Sequence, residues 1–427
     1  MQAPDARSVA ATVLSRVITD KAFAAAALDA ELERAMQLDG RDRALATELV
    51  YGTLRLLPWL EERVGRFTTR GLSSVEPLVR AHLVVAAYQI LALTRIPAFA
   101  AVNEAVNAVR AFRGAKVAGF TNAVLRKIAA LPKPTDEELN AASFAAIDAE
   151  LRAAVIRAIG EAEARALFGR SEIPPLGIRV EDERDRDLWL ARLREARPTA
   201  SFEPGRVSPQ AILARGAGKV VDLPGYAEGA WTPQEEGSQV IARAVEAKPG
   251  DIVLDACAGR GNKTGLLARA VGPSGAVDAA DLHPKKLERL VRELERIGQK
   301  PRNTFAVDWS RGTGEATGPY DRILIDAPCS GTGTIRRRPE LGLRRQGGDL
   351  AALATMQKEI LARAASLVKP GGRIVYAVCS ILREEAEEVV DAVCAEGVLS
   401  PAGEAFRLLP SRDGTDGYFV APLTTKA

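Results

Sequence analysis

The sequence predicts a multidomain chain: an all-helical bundle in front, a small α+β insert, then an α/β doubly wound, mostly parallel sheet. Three observations carry this. From Asp5 to about Leu131, apolar residues recur at helical spacing with few β-branched alternations. Prolines punctuate the chain at Pro132-Lys133-Pro134 and again at Pro174-Pro175. After Trp231, short apolar runs alternate with helical segments, as buried strands joined by crossover helices do. At 427 residues there is room for two to four domains of roughly 100–200 residues each.

In order along the chain, the bundle (1–131) breaks near Gly40, Pro58, 71–74, Pro97 and Gly114, leaving helices of ordinary length. An Ala/Glu-rich helical linker (132–170) follows. The insert (171–228) reads as a strand at 176–180, a helix at 185–196, and extended pieces at 211–214 and 219–221. The last domain (229–427) places strands at 252–255, 276–281, 304–308, 322–326 and 373–378, with helices near 264–270, 285–297 and 353–368. Segments 406–409 and 418–423 close it as an antiparallel hairpin.

Composition narrows the chemistry. The most apolar stretch, 83–93, contains Gln89 and is far shorter than the roughly 20 residues of a spanning helix, so no membrane partner is expected. Asp5 and Arg7 stand where a leader would be apolar, which predicts a cytoplasmic protein. Four cysteines without a close pair fit a reducing compartment and no zinc site. Two histidines argue against a His-ligated metal or a Ser-His-Asp triad, so no metal is expected, and the chain is expected to be a monomer.

The net charge of +3 is uneven. Residues 1–131 carry 17 Lys+Arg against 12 Asp+Glu. A second run, 334–346, carries Arg336, Arg337, Arg338, Arg344 and Arg345 against Glu340 alone. Both suggest phosphate contact, since a nucleic-acid footprint consists of local patches. Solvated helix faces are the plain alternative, strongest for the first.

Four of the five expected strands end in an aspartate (Asp255, Asp281, Asp308, Asp326), at the sheet edge where open α/β folds bind ligands. The first runs into Cys257-Ala258-Gly259-Arg260-Gly261-Asn262-Lys263-Thr264. A P-loop needs glycine where Asn262 stands, and a dinucleotide fingerprint needs a third glycine where Thr264 stands. Both fail. What remains is a glycine turn followed, 20 residues after Gly261, by Asp281, the spacing at which a carboxylate grips ribose hydroxyls. An adenosine cofactor without a pyrophosphate fits.

The fourth strand leads into Asp326-Ala327-Pro328-Cys329-Ser330-Gly331-Thr332-Gly333, and the fifth into Cys379-Ser380. A single cysteine is usually a small buried hydrophobe, as expected for Cys394. Two cysteines past neighbouring strand ends, one beside an acid, point to chemistry. Carbon 5 of a pyrimidine becomes nucleophilic once a thiolate adds at carbon 6, and an acid at ring nitrogen 3 would stabilise the adduct. The residues alone do not say which thiol attacks.

These motifs resemble the Sun-type family of RNA 5-methylcytosine methyltransferases, in its branch acting on bacterial small-subunit ribosomal RNA. The resemblance is most specific at 326–333 and at Tyr376-Ala377-Val378-Cys379-Ser380, with an acid-rich helix beyond. It implies a class I S-adenosylmethionine-dependent methyltransferase sheet that modifies a single-stranded or hairpin-loop cytosine of ribosomal RNA. It makes Cys379 the nucleophile, Cys329 the residue assisting release, and Asp326 a contact to the cytosine bordering the cofactor. S-adenosylmethionine would lie on the 257–263 loop (Cys257, Ala258, Gly259, Arg260, Gly261, Asn262, Lys263), with Asp281 at the ribose and Asp308 near the adenine. The front resembles the NusB-type RNA-binding domain through Asp42-Arg43-Ala44, Glu48-Leu49-Val50-Tyr51-Gly52 and 120–126. One departure stands out: the family loop usually reads Cys-Ala-Ala-Pro-Gly-Gly-Lys, and this chain has Gly259, Arg260 and Asn262 at the third, fourth and sixth places. An asparagine there is expected to tolerate a left-handed backbone.

Two rivals follow from the same residues. An amino-group methyltransferase would need no thiol. A non-catalytic antitermination or ribosome-assembly factor would use the helical front alone and bind no cofactor.

Overall fold

The computed structural model describes residues 5–169, 174–344 and 347–425. The chain forms two compact units: among the described residues, 5–153, 168–169 and 335–344 make the first, and the remainder the second.

The first unit is a helical bundle. Its helices Ala6–Thr19, Gly40–Arg55 and Asp136–Ala146 start on side-chain caps from Asp5, Asp39 and Thr135, the last in a reciprocal pair with Glu138. Helix Pro77–Ala92 is its axis: residues 81–92 are all buried. Burying Gln89 there is tolerated because it accepts from Arg7 Nε (2.8 Å) and donates to Val85 O (3.1 Å). Gly52 lets helix Gly40–Arg55 lie against Tyr88; any side chain at 52 would overlap the Tyr88 ring. Gly114, at φ 78°, breaks the Ala98–Ala129 helix where the sequence places a break.

Of the arginine run, Arg336, Arg337, Arg338 and Arg344 belong to this unit. Glu340 Oε1 accepts from Ala24 N (3.1 Å), capping helix Ala24–Arg34, whose own N-cap residue Phe23 offers no side-chain bond. Arg344 donates to Lys21 O (2.8 Å) and Ala22 O (3.0 Å) and lies over the Phe23 ring. Arg55 donates to Arg336 O (2.8 Å).

In the second unit, β1 (Leu176–Val180), β2 (Ser201–Pro204), β3 (Ala211–Arg215) and β4 (Trp231–Pro233) form an antiparallel sheet in the order β2-β3-β1-β4. Strand β2 was not expected. The piece at 219–221, expected to be extended, is a 3₁₀ turn, Val220–Asp222. Both edges of β3 are already paired, so this segment closes on itself through Asp222 N to Lys219 O and Leu223 N to Val220 O.

The main sheet comprises β5 (Ile252–Asp255), β6 (Ala276–Asp281), β7 (Asn303–Ala306), β8 (Tyr320–Asp326), β9 (Val368–Val378), β10 (Leu399–Pro401), β11 (Phe406–Leu408) and β12 (Tyr418–Thr425). Its order is β10-β12-β9-β8-β5-β6-β7, with β11 pairing to β12. Strands β7, β6, β5, β8 and β9 run parallel, and β12 lies antiparallel to β9. Runs such as Ile323-Leu324-Ile325 and Ile374-Val375-Tyr376-Ala377-Val378 are buried, as strands covered on both faces must be. The strand order reverses between β5 and β8, which opens a crevice beyond their carboxyl ends. Strand β7 stops at Ala306, earlier than expected. Asp308 instead accepts from Ser310 N (3.0 Å) and Ser310 Oγ (2.6 Å), a local turn that competes with continuing the ladder.

Candidate active site

Beyond β5 the chain turns through Gly259 (φ 57°) and Gly261 (φ 89°) into helix Asn262–Val271. A Cβ on Gly261 would lie 2.7 Å from Leu290 Cγ, so this turn requires glycine twice over. Asn262 is the first helical residue and not the left-handed one, contrary to the expectation from its place in the motif. Its Nδ2 donates to Pro233 O (3.1 Å) and ties the loop to β4. The loop keeps its shape because Gly261 carries the positive φ.

Asp281, at the end of β6, faces this loop. Its Oδ2 accepts from Gly259 N (3.1 Å) and its Oδ1 from His283 N (2.8 Å), with Lys286 Nζ at 3.4 Å. A carboxylate so held retains acceptor capacity for vicinal hydroxyls. Asp255 is buried, accepts from Thr264 Oγ1 (2.7 Å), and has a second oxygen with no protein partner. Burial pushes its carboxyl up to about 7, against the pull of the Thr264 hydrogen bond. Burial also raises the Cys257 thiol, with Asp255 and Asp326 adding to the effect. A glycine cradle, an oriented carboxylate and an orphaned buried oxygen fit an adenosine-bearing sulfonium. Asp308 is half-buried in the turn after β7. Arg260 is exposed.

Lys263 Nζ lies 2.5 Å from Asp326 Oδ2 and joins the first loop to the end of β8. Burial works against the ammonium, but the charge and hydrogen bond of Asp326 outweigh it and raise Lys263.

The β8–β9 register pairs Asp326 with Ala377, so the turns that follow meet. Cys329 Sγ and Cys379 Sγ are 3.3 Å apart, both half-buried. The Cys329 thiol is raised, first by its hydrogen bond to Cys379 and then by burial. Gly333 N donates to Cys379 O (3.0 Å), and the Thr332 and Ser380 hydroxyls meet at 3.0 Å.

Several site residues carried no local signal in the sequence. Glu385 is wholly buried beneath the Cys329 turn. Gln357 reaches Pro328 O (2.9 Å) from helix Gly347–Ala365. Arg179, buried on β1, donates to Glu181 (2.6 Å), Gln234 (2.5 Å) and Asn262 O (2.5 Å), linking the small sheet to the glycine loop. Only the acid-rich character after Cys379 hinted at Glu385. Of the five arginines, Arg336, Arg337 and Arg344 are half-buried in the helical unit, Arg338 is exposed, and Arg345 lies outside the described residues. Among the described residues there is no cluster that could hold a metal and no helix long and apolar enough to cross a membrane.

The parallel sheet with its antiparallel β12, the glycine loop after β5 and the acid after β6 define an S-adenosylmethionine-dependent methyltransferase fold. Comparison with known proteins narrows the class. Residues 242–424 match the family model for the 16S rRNA methyltransferase RsmB/F, and residues 4–130 match the NusB family. Ribosomal RNA small subunit methyltransferase B of Pseudomonas putida is 34% identical over 98% of each chain. The protein of that description from Klebsiella pneumoniae is 33% identical over 91% of each. The crystal structure of PH0851 superposes at a TM-score of 0.83 and 23% identity, covering 100% of both chains. The chain belongs to the RsmB/F family of small-subunit ribosomal RNA methyltransferases, with a NusB domain in front.

Proposed function

We propose that this enzyme methylates carbon 5 of a cytosine in 16S ribosomal RNA through a transient bond between Cys379 and carbon 6. The observation that carries the reading is the pair of half-buried sulfurs 3.3 Å apart beside the Lys263–Asp326 ion pair. Neither an amino-group methyltransferase nor a binding protein needs that arrangement.

Cys379, as thiolate, adds to carbon 6, and the displaced π electrons move into the ring. Asp326 faces the base, and a proton shared across its bond to Lys263 Nζ neutralises the charge arriving at nitrogen 3. S-adenosylmethionine, when bound, supplies the methyl group that carbon 5 accepts. Asp281 would hold its ribose and Asp308 would meet the adenine, with the 257–263 backbone allowing close approach. Release requires loss of the carbon 5 hydrogen as a proton. The C–H electron pair then restores the ring double bond and expels Cys379 as thiolate. Cys329 serves here: its hydrogen bond to Cys379, the largest of the influences that hold its proton in the free enzyme, is lost once Cys379 is alkylated, which leaves burial and Glu385 and eases its ionisation. Cys329 then loses its proton to solvent and takes the one from carbon 5.

The helical domain (1–131), the helical linker (132–170) and the insert (171–228) present the RNA to the methyltransferase domain (229–427) in this reading. Arg338, the exposed member of its cluster among the described residues, is best placed of these to meet phosphate. The test is transfer of labelled methyl from S-adenosylmethionine to ribosomal RNA from a strain lacking the gene, with bisulfite sequencing of the product. A new protected cytosine is expected; label on an exocyclic amine would reject the proposal.

A further inference from the structure

We propose that Glu385 is a positioning residue that holds the 328–330 turn over Cys379 and makes the two thiols chemically unequal. The inference rests on the covalent reading above and adds to it what separates attacking from assisting sulfur.

Glu385 lies at the end of the 3₁₀ turn Arg383–Glu385 and is fully buried. Its Oε1 accepts from Ser330 N (2.8 Å) and Gln357 Nε2 (3.1 Å), and its Oε2 from Ser330 Oγ (2.5 Å). Gln357, equally buried, also donates to Pro328 O (2.9 Å). Both peptide flanks of Cys329 are therefore gripped from below. The backbone carbonyl of Glu385 accepts from Tyr376 OH (2.7 Å), which fixes the carboxylate's own turn to β9.

The charges around the two sulfurs are lopsided. No arginine or lysine forms an ion pair with Glu385 among the described residues, so its negative charge is met only by neutral donors. It sits on the Cys329 side. The site's ammonium, Lys263, is bonded to Asp326 and is itself influenced by Cys379. The groups facing Cys329 are Cys379 and Glu385, with Tyr376 behind, and the Gly331 backbone N–H, whose hydrogen bond pulls the other way and is outweighed. A carboxylate beside Cys329, with the ammonium bonded to Asp326 and not to this turn, opposes ionisation of Cys329. Pro328-Cys329 is thereby kept from acting as the nucleophile.

The experiment is alkylation of the full-length protein with iodoacetamide across a pH series, with each cysteine quantified by mass spectrometry. In the wild type, Cys379 should react at lower pH than Cys329. Glu385→Gln keeps an acceptor for Ser330 N but removes the charge. It should make Cys329 react about tenfold faster near neutrality while Cys394 is unchanged. Should that variant not fold, Glu385→Asp, which withdraws the charge from Ser330, should accelerate Cys329 in the same direction. A Cys329 profile unmoved in a folded variant, or a wild-type order with Cys329 first, overturns the inference. The covalent reading is judged separately by methyl transfer in Cys379→Ala, so the two can fail independently.

Discussion

Cys329 and Cys379, 50 residues apart in the chain, bring their sulfurs to 3.3 Å. The parallel pairing of Asp326 with Ala377 fixes this, because Cys379 directly follows the end of β9 and Cys329 lies three residues past the end of β8. Cys379→Ala should lower methyl transfer by at least roughly 10³-fold with an unchanged circular dichroism spectrum. Retained activity would remove Cys379 from the chemistry.

The Lys263–Asp326 bond predicts a coupled loss. Lys263→Met should lower kcat about 10²-fold, Asp326→Asn similarly, and the double variant little further, because each single change already breaks the shared function. Fully additive losses would show that the two residues act separately.

Gly261 tests the cofactor cradle. At φ 89°, with Leu290 beneath it, Gly261→Ala must distort the turn. Calorimetry should show S-adenosylmethionine binding weakened by about tenfold or more, roughly 1.4 kcal/mol. Unaltered affinity would place the cofactor elsewhere.

Asp255 gives the second unit a pH signature. Its carboxyl is raised to about 7 in the fold, so between the ordinary carboxylate range and about 7 the native state holds a proton that the unfolded chain has lost. Its contribution to stability therefore falls as pH rises through that window and is flat above it. Asp255→Asn, which mimics the protonated acid, should match the wild type near pH 4 and exceed it by a few kcal/mol, on the order of 2–4, above about pH 7 in urea unfolding. A constant difference would refute the assignment.

His82 gives the helical unit the opposite slope. Burial lowers its imidazole to about 4, so the unfolded chain binds the proton first as pH falls. Stability is full above the ordinary histidine range and is lost on acidification toward about pH 4. Amide protection factors in helix Pro77–Ala92, taken relative to the intrinsic exchange rate at each pH, should fall over that window in the wild type and much less in His82→Gln.

Much of the candidate site was legible because its residues stand in short segments at strand ends. Asp255, Asp281, Asp326, Cys329 and Cys379 each follow an apolar run, and periodicity finds such runs. The sequence reads Asp308 as a strand end because its apolar neighbours extend past Ala306, while the Ser310 hydrogen bonds that form the turn leave no periodic trace. Glu385, Gln357 and Arg179 were not legible, because the partners that tie them to the Cys329 turn and the glycine loop lie 28 to 83 residues away and meet only through tertiary packing. The arginine run shows the same boundary. Composition marks it as basic, yet Arg344 ends on the carbonyls of Lys21 and Ala22, a contact that charge counting does not anticipate.

The central claim is most directly tested by trapping the enzyme on its substrate. The Cys329→Ala variant, incubated with S-adenosylmethionine and ribosomal RNA from a strain lacking the gene, should accumulate a denaturant-resistant protein–RNA species. Nuclease and protease digestion followed by mass spectrometry should then find a methylated cytidine on the peptide containing Cys379. Absence of any adduct, or one mapped to another residue, would contradict the account.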